Sequence, residues 1–262
     1  PTGLILLTGP TGSGKTTAIY ASIGFLLEKN SNSVAIASVE DPVEQNLMWV
    51  NQGQLNLAQD FTYIAALRSL MRQDPEVIMI GEIRDADTAR TAIQASITGH
   101  LVLSTFHANT TAAAFSRMID LIGVNPIFST AIRLLIAQRL VRRLDDTSKE
   151  AYEPDEATKQ WIRTVLKDVP AHVEKPDLEN IQLYRPVASE ASPFGYSGRM
   201  ILMEQLVVSE NIQKFLRGDT TDVHAEIIEK QAREEGMVTL LENGVLAALR
   251  GETTIEEVNR VI

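Results

Sequence analysis

Nine consecutive residues constrain this chain more than any other stretch: Gly9, Pro10, Thr11, Gly12, Ser13, Gly14, Lys15, Thr16 and Thr17. They form the pattern Gly-x-x-x-x-Gly-Lys-Ser/Thr, with a mostly apolar run at 3–7 before it and helical apolar spacing over 18–27 after it. A strand, a glycine-rich loop and a helix form the setting in which this pattern holds a polyphosphate. The glycines allow backbone conformations closed to residues with a side chain. Successive N–H groups then converge on one concavity at a helix N-terminus, where an anion is favoured. Lys15 adds a point charge for the β- and γ-phosphates. Thr16 adds a hydroxyl for Mg²⁺. A merely flexible turn leaves Lys-Thr at the helix start unexplained. The loop residues are therefore assigned to nucleotide binding, with ATP and Mg²⁺ as the expected cofactors.

At 262 residues, the chain has room for one large α/β domain, or for a core with a smaller appendage. No apolar run approaches the ~18 residues that a membrane-spanning helix needs. The chain opens on a strand without an initiator Met, as expected of a piece of a longer protein. It has no cysteine, which excludes disulfides and thiolate-held zinc. A net charge of −10 argues against a main surface that binds nucleic acid.

Apolar patterning predicts strands at 3–7, 33–39, 77–80 and 100–105. Helices are predicted at 16–28, 62–72, 86–97 and 110–121. The alternation implies an α/β fold with a mostly parallel sheet covered on both faces. In such sheets ligands sit at the carboxyl ends of the strands. Those ends are Thr8-Gly9, Glu40-Asp41, Gly81-Glu82 and Ser104-Thr105, all polar or glycine. The glutamine-rich stretch 47–60 reads as a loop. The stretch 126–144, with Arg133, Arg139, Arg142 and Arg143, reads as a long helix. Segment 145–197 is charged and proline-containing, with one helix at 155–169. A strand at 198–208 and helices at 222–235 and 240–250 follow, and Thr254 with Glu257 forms a capping box for a last helix. The organisation predicted is a P-loop core over 1–144, a peripheral lobe over 145–197, and a C-terminal strand and helical subdomain over 198–262.

Hydrolysis needs a carboxylate to orient a water and cations to balance phosphate charge. Glu82 directly follows the apolar strand 77–80, and Gly81 stands where a metal-holding Asp is usual. Glu40, Asp41 and Glu44 form a second acidic set at another strand end. His100 and His107 bracket one strand and are candidates for sensing the γ-phosphate. At ~20 Å apart they do not make a zinc pair. Arg68, Arg72, Arg84 and Arg90 are candidate phosphate or subunit-interface cations, although each taken alone reads first as a surface or structural ion pair.

Together these segments resemble the ATPase family of type II secretion and type IV pilus systems. Ser38-Val-Glu-Asp-Pro-Val-Glu44 is similar to its Asp box. Arg72-Gln-Asp-Pro-Glu-Val-Ile-Met-Ile-Gly-Glu-Ile-Arg-Asp85 is similar to its Walker B region, Gly81 included. Thr98-Gly-His-Leu-Val-Leu-Ser-Thr-Phe-His-Ala-Asn109 is similar to its His box. Gln138-Arg-Leu-Val-Arg-Arg-Leu144, Gly195-Tyr-Ser-Gly-Arg199 and Gly236-Met-Val-Thr-Leu240 extend the likeness through the tail. The resemblance implies a RecA-like core and a homo-hexameric ATPase, cytoplasmic and peripheral at the inner membrane. Such a ring drives a membrane platform protein of the pilus or secretion machinery. It further implies Glu40 and Glu82 as catalytic acids and His107, with His100, as nucleotide sensor. The Gln-Arg-Leu-Val-Arg-Arg-Leu segment is similar to the assembly branch of the family, not the retraction branch. Many assembly-type members carry a four-cysteine zinc lobe. Here Asp145, Ser148, Ala188 and Ala191 stand at those positions, so no zinc is expected. The family's preceding domain, which contributes arginines, is expected to be missing from this chain. Competing readings are a conjugative or DNA-translocating motor, a P-loop kinase, and a nucleotide-gated ring subunit without turnover.

Overall fold

The computed structural model describes residues 2–174, 176–220 and 222–262. The chain runs β1 (Gly3–Thr8), α1 (Lys15–Lys29), β2 (Ile36–Glu40), β3 (Val50–Gln54), α2 (Tyr63–Leu70), β4 (Val77–Ile80), α3 (Ala86–Ile97), β5 (Leu101–Phe106), α4 (Thr111–Ile122) and β6 (Ile132–Leu144). It continues through β7 (Glu150–Tyr152), α5 (Glu156–Val165), β8 (Leu183–Arg185), β9 (Tyr196–Val207), α6 (Glu210–Arg217), α7 (Ala225–Glu234), α8 (Leu240–Leu249) and α9 (Ile255–Val261). Seven strands form one sheet in the order β3-β2-β4-β5-β1-β6-β9. Every pairing from β3 to β6 is parallel. The inner strands β2, β4 and β5 are buried along their whole length, as continuous apolar runs require when both faces are covered.

Helix α1 turns Ile19, Tyr20, Ile23 and Leu27 onto Leu7, Ile36, Met79 and Leu103 of the sheet. Helix α3 instead buries a stripe of small residues, Ala89, Ala92 and Ala95, which allows close approach to its neighbours α2 and α4. The chain divides into two compact units. The first takes the chain up to Ala137 together with Leu206–Ala232, and the second comprises Gln138–Gln205 and Arg233–Ile262. The division falls inside β6 and β9. The second unit has its own core, in which Ile162, Leu166, Leu183, Val245 and Leu246 gather from α5, β8 and α8.

Three expectations are corrected. Residues 132–144 form a strand, not the second part of a long helix; before it, only Pro126–Phe128 make a short 3-10 turn. The apolar residues there fit helical spacing, but β1 pairs with this segment in parallel, from Leu4 opposite Ile132 to Thr8 opposite Ala137. Pairing and burial override local spacing. Three of its arginines act structurally. Arg139 is buried and donates to the Val261 carbonyl, Arg142 pairs with Glu257, and Arg143 with Asp146. The stretch 47–60, read as a loop, contains the edge strand β3 beside β2. The reciprocal capping box is at Thr239 and Glu242. Thr254 does cap α9, but the Glu257 carboxylate is taken by Arg142 and Arg260 instead of turning back.

Candidate active site

The site lies at the carboxyl edge of the sheet within the first unit. There β1 runs into the loop at 9–14, where Gly12 and Gly14 have φ of 79° and 86°. This left-handed region favours glycine. Gly14 is the N-cap of α1 and offers no side chain to the amides of the first turn, which also lacks an acidic residue. By contrast, Thr62, Asp85, Thr110, Asp155, Ser209, Thr239 and Thr254 each cap their own helix through a side-chain oxygen. The positive end of α1 is thus left for an external anion. Lys15 is buried, and its ammonium donates to the carbonyls of Gly9 and Pro10, each at 2.9 Å. Pro10, Thr11 and Gly12 form an exposed rim. A Cβ placed on Gly12 would meet nothing within 4 Å, so the space above the loop is open. Ser13 is buried beneath, Thr16 is half-buried in the first turn of α1, and Thr17 is exposed.

The strand order sets how far each acid-bearing strand lies from the loop strand. Between β1 and β4 lies only β5, whereas both β5 and β4 separate β1 from β2. At about 4.8 Å per strand, Glu82 after β4 starts about 10 Å from the loop strand, and Glu40 on β2 about 14 Å.

Glu82 is positioned by the strand ends around it. The Thr105 hydroxyl donates to the Gly81 carbonyl at 2.7 Å, and the Ser104 hydroxyl to the Ile80 carbonyl at 2.9 Å. The Thr8 hydroxyl both donates to the Ala108 carbonyl and accepts the Ala108 N–H, each at 2.8 Å. This ties the end of β1 to the segment that carries His107. His107 Nε2 then lies 3.2 Å from Glu82 Oε2, and the Arg84 guanidinium grips the other carboxylate oxygen. Burial pushes the Glu82 carboxyl up, but Arg84 and His107 outweigh it and hold it below the ordinary carboxylate range.

Glu40 has different surroundings. Its carboxylate is buried and accepts hydrogen bonds from the Tyr20 hydroxyl, the Ser38 hydroxyl at 2.6 Å and the Gln52 amide at 3.0 Å. Burial and then the bond to Glu40 push Tyr20 up to about 12. Tyr20 thereby links the P-loop helix to β2.

His100 is placed at the opposite end of β5 from His107. It is buried, with Nδ1 2.9 Å from the Ala95 carbonyl, and its own carbonyl accepts the Gly3 N–H. The structure therefore joins His107 to Glu82 and keeps His100 apart from them. Arg68 and Arg72 are exposed on α2 and just beyond it, and Arg90 pairs with Asp87 at 3.7 Å. Tyr20, Tyr63, Gln52 and Arg117, which donates to the His107 carbonyl at 3.0 Å, belong to no motif and escape sequence reasoning. Among the described residues no three acidic or histidine side chains converge as metal ligands. Thr16, half-buried in the first turn of α1, is the residue whose hydroxyl would fit an Mg²⁺ ion accompanying a nucleotide.

The family model described as "Type II/IV secretion system protein" matches residues 1–260. Type II secretion system protein E of Xanthomonas campestris pv. campestris is 44% identical over 263 residues, covering 100% of this chain and 44% of the relative. The type IV pilus assembly ATPase PilB of Pseudomonas aeruginosa is 39% identical over 265 residues, again covering 100% and 44%. The chain thus spans less than half the length of these relatives. The X-ray structure of the Legionella pneumophila ATPase DotB aligns with a TM-score of 0.67 at 20% identity, over 99% of this chain and 60% of the other. The pilus retraction motor PilT with bound ADP aligns at 0.66 and 24%, over 100% and 61%. At those identities the structural likeness speaks for the fold alone, a RecA-like α/β core with a mostly parallel sheet. Sequence likeness carries the kinship, and the chain belongs to the type II/IV secretion system protein family.

Proposed function

We propose that this chain is the catalytic part of an Mg²⁺-dependent ATPase, converting ATP and water to ADP and phosphate, that powers pilus assembly or type II-like secretion. The observation that carries the reading is the uncapped, glycine-bounded start of α1 facing a carboxylate that is itself held by a cation and a histidine. The backbone amides of the loop and Lys15 grip the phosphates, and Thr16 offers its hydroxyl to the ion. When bound, the nucleotide with its Mg²⁺ supplies the phosphoanhydride bond to be broken and a counter-charge for the leaving diphosphate. Glu82 orients the attacking water from the end of β4. His107 contacts Glu82 and is placed to register whether that carboxylate has turned toward a phosphate. Glu40 works one step back, holding Tyr20, Ser38 and Gln52 in a network between α1, β2 and β3. The full-length protein is proposed to act as a homo-hexamer, in the cytoplasm against the inner membrane, on a membrane platform protein. The names of the relatives support this reading.

The experiment uses the full-length protein. Lys15→Ala is expected to abolish nucleotide binding or turnover, and Glu82→Gln to keep binding while losing turnover, by roughly 10²–10⁴-fold. Normal hydrolysis by Glu82→Gln would overturn the catalytic assignment. Native mass spectrometry with ATP and Mg²⁺ checks the ring, and a monomer under all conditions would count against the motor.

A further inference from the structure

Gly81 explains an absence and reveals a substitute. A Cβ at this position would lie 2.9 Å from the Tyr63 hydroxyl, 3.3 Å from the Glu40 Cα and 3.4 Å from the Val39 carbonyl. The last two are backbone atoms of β2, fixed by the parallel pairing of β2 with β4. An aspartate here would crowd the β2 backbone and displace the tip of Tyr63, the group that occupies the space.

Tyr63 opens α2, directly after its cap Thr62. Its ring is half-buried, yet its hydroxyl oxygen is fully buried and makes no hydrogen bond of ordinary geometry. Buried polar groups in native proteins are nearly always paired, so such an exception calls for a reason. The charged groups around it belong to the site: the Glu82 and Asp41 carboxylates, with Arg84 beyond. Burial first, and then those two carboxylates, push the hydroxyl up to about 12, against smaller opposing pulls from Arg84 and the Glu82 amide. It therefore keeps its proton throughout the working pH range and faces acids as a donor.

Resting on the reading of Glu82 as the water-orienting carboxylate, we propose that Tyr63 is a positioning residue for the reaction, its O–H donating to the Glu82 carboxylate when that group turns from the exposed Arg84 toward the nucleotide. The present grip on Glu82 comes from the solvent side: His107 is 49% exposed, and Arg84, the closer partner, is 62% exposed. A carboxylate swung inward loses that partner, and the buried hydroxyl between β2 and β4 has its donor unused. The buried, unpaired hydroxyl is the donor that such a turned carboxylate would meet.

The test is Tyr63→Phe in the full-length protein, with Glu82→Gln and the double variant alongside. Tyr63→Phe is expected to lower kcat roughly tenfold. KM for ATP should be unchanged, and Tm equal or higher, because a stranded buried hydroxyl has been removed. On the Glu82→Gln background the same change should have no further effect on the residual rate. A wild-type kcat for Tyr63→Phe, with Glu82→Gln inactive, would overturn this inference and leave the reading of Glu82 intact. A joint fall of kcat and Tm would also overturn it, by making the hydroxyl structural. Wild-type turnover by Glu82→Gln would remove the reading on which the inference rests. As an independent check of the geometry, the Tm loss caused by Gly81→Ala should shrink in the presence of Tyr63→Phe, and an unchanged loss would contradict the contact.

Discussion

Truncating Glu40 to alanine separates two roles for a carboxylate near an ATP site. Its surroundings set the expected size of the effect. Three donors converge on it, and of these Tyr20 is 8% exposed and Ser38 0%. Gln52 is half-buried and can turn to water. Each buried donor left without an acceptor costs about 1–3 kcal/mol, so the two hydroxyls together cost about 2–6 kcal/mol. At about 2–4 °C per kcal/mol for a domain of this size, Tm should fall by roughly 4–24 °C. Glu40→Gln keeps the shape and one acceptor, and the hydroxyls can re-aim, so it should cost only about 1–2 kcal/mol. Thermal unfolding followed by circular dichroism gives the stability, and phosphate release gives the turnover. The expected pattern is a graded loss of both, Ala worse than Gln. An alanine variant with a Tm within about 1 °C of wild type and abolished turnover would refute the reasoning, because Glu40 would then act only in the chemistry.

Other outcomes follow from the same kind of argument. Glu257 is buried between Arg142 and Arg260; burial raises its carboxyl, but the two arginines outweigh it and lower it to about 2. A lowered folded-state value means that its contribution is complete above the ordinary carboxylate value and is lost as pH falls toward 2. Because the arginines are half exposed, screening holds this to about 1–3 kcal/mol. The stability gap between wild type and Glu257→Gln should therefore close on acidification from about pH 5, and a gap that does not change with pH would contradict the pairing. Gly244→Ala in α8 places a Cβ 2.5 Å from Val258 Cγ1. Overpacking of about 1–3 kcal/mol should exceed the ~1 kcal/mol gained in helix propensity, so Tm should drop and recover with Val258→Ala. Thr8→Val strips the Ala108 N–H and carbonyl of their shared partner. Stability should fall by about 1–3 kcal/mol, and kcat should fall as His107 loosens from Glu82; wild-type values for both would exclude the clamp.

Much of the fold is legible because its signals are local. The loop from Gly9 to Thr17 needs only its own residues and the runs on either side of it. The buried strands announce themselves as short apolar runs, and Thr62, Asp85, Thr110 and Asp155 each mark a helix start a few residues ahead. Residues 132–144 were not legible as a strand, because their apolar spacing fits a helix and only the parallel pairing with β1 makes them extended. β3 was hidden for a related reason: its Val-Asn-Gln-Gly-Gln sequence has little strand character of its own, and β2 supplies the partner.

At the site, sequence alone determined the phosphate loop and the presence of acids and histidines at strand ends, since each depends on residue type beside a recognisable element. Tertiary structure alone decided how those groups are shared out. Strand order inserts β4 and β5 between β1 and β2, so the strand leading to Glu82 lies nearer the loop strand than the one carrying Glu40, although Glu40 comes first in the chain. The same order brings His107, on the segment after β5, to Glu82. It also packs Tyr63 against Gly81, across a gap that no spacing along the chain encodes. Such neighbours are set by long-range pairing and burial, and these exist only once the sheet has formed.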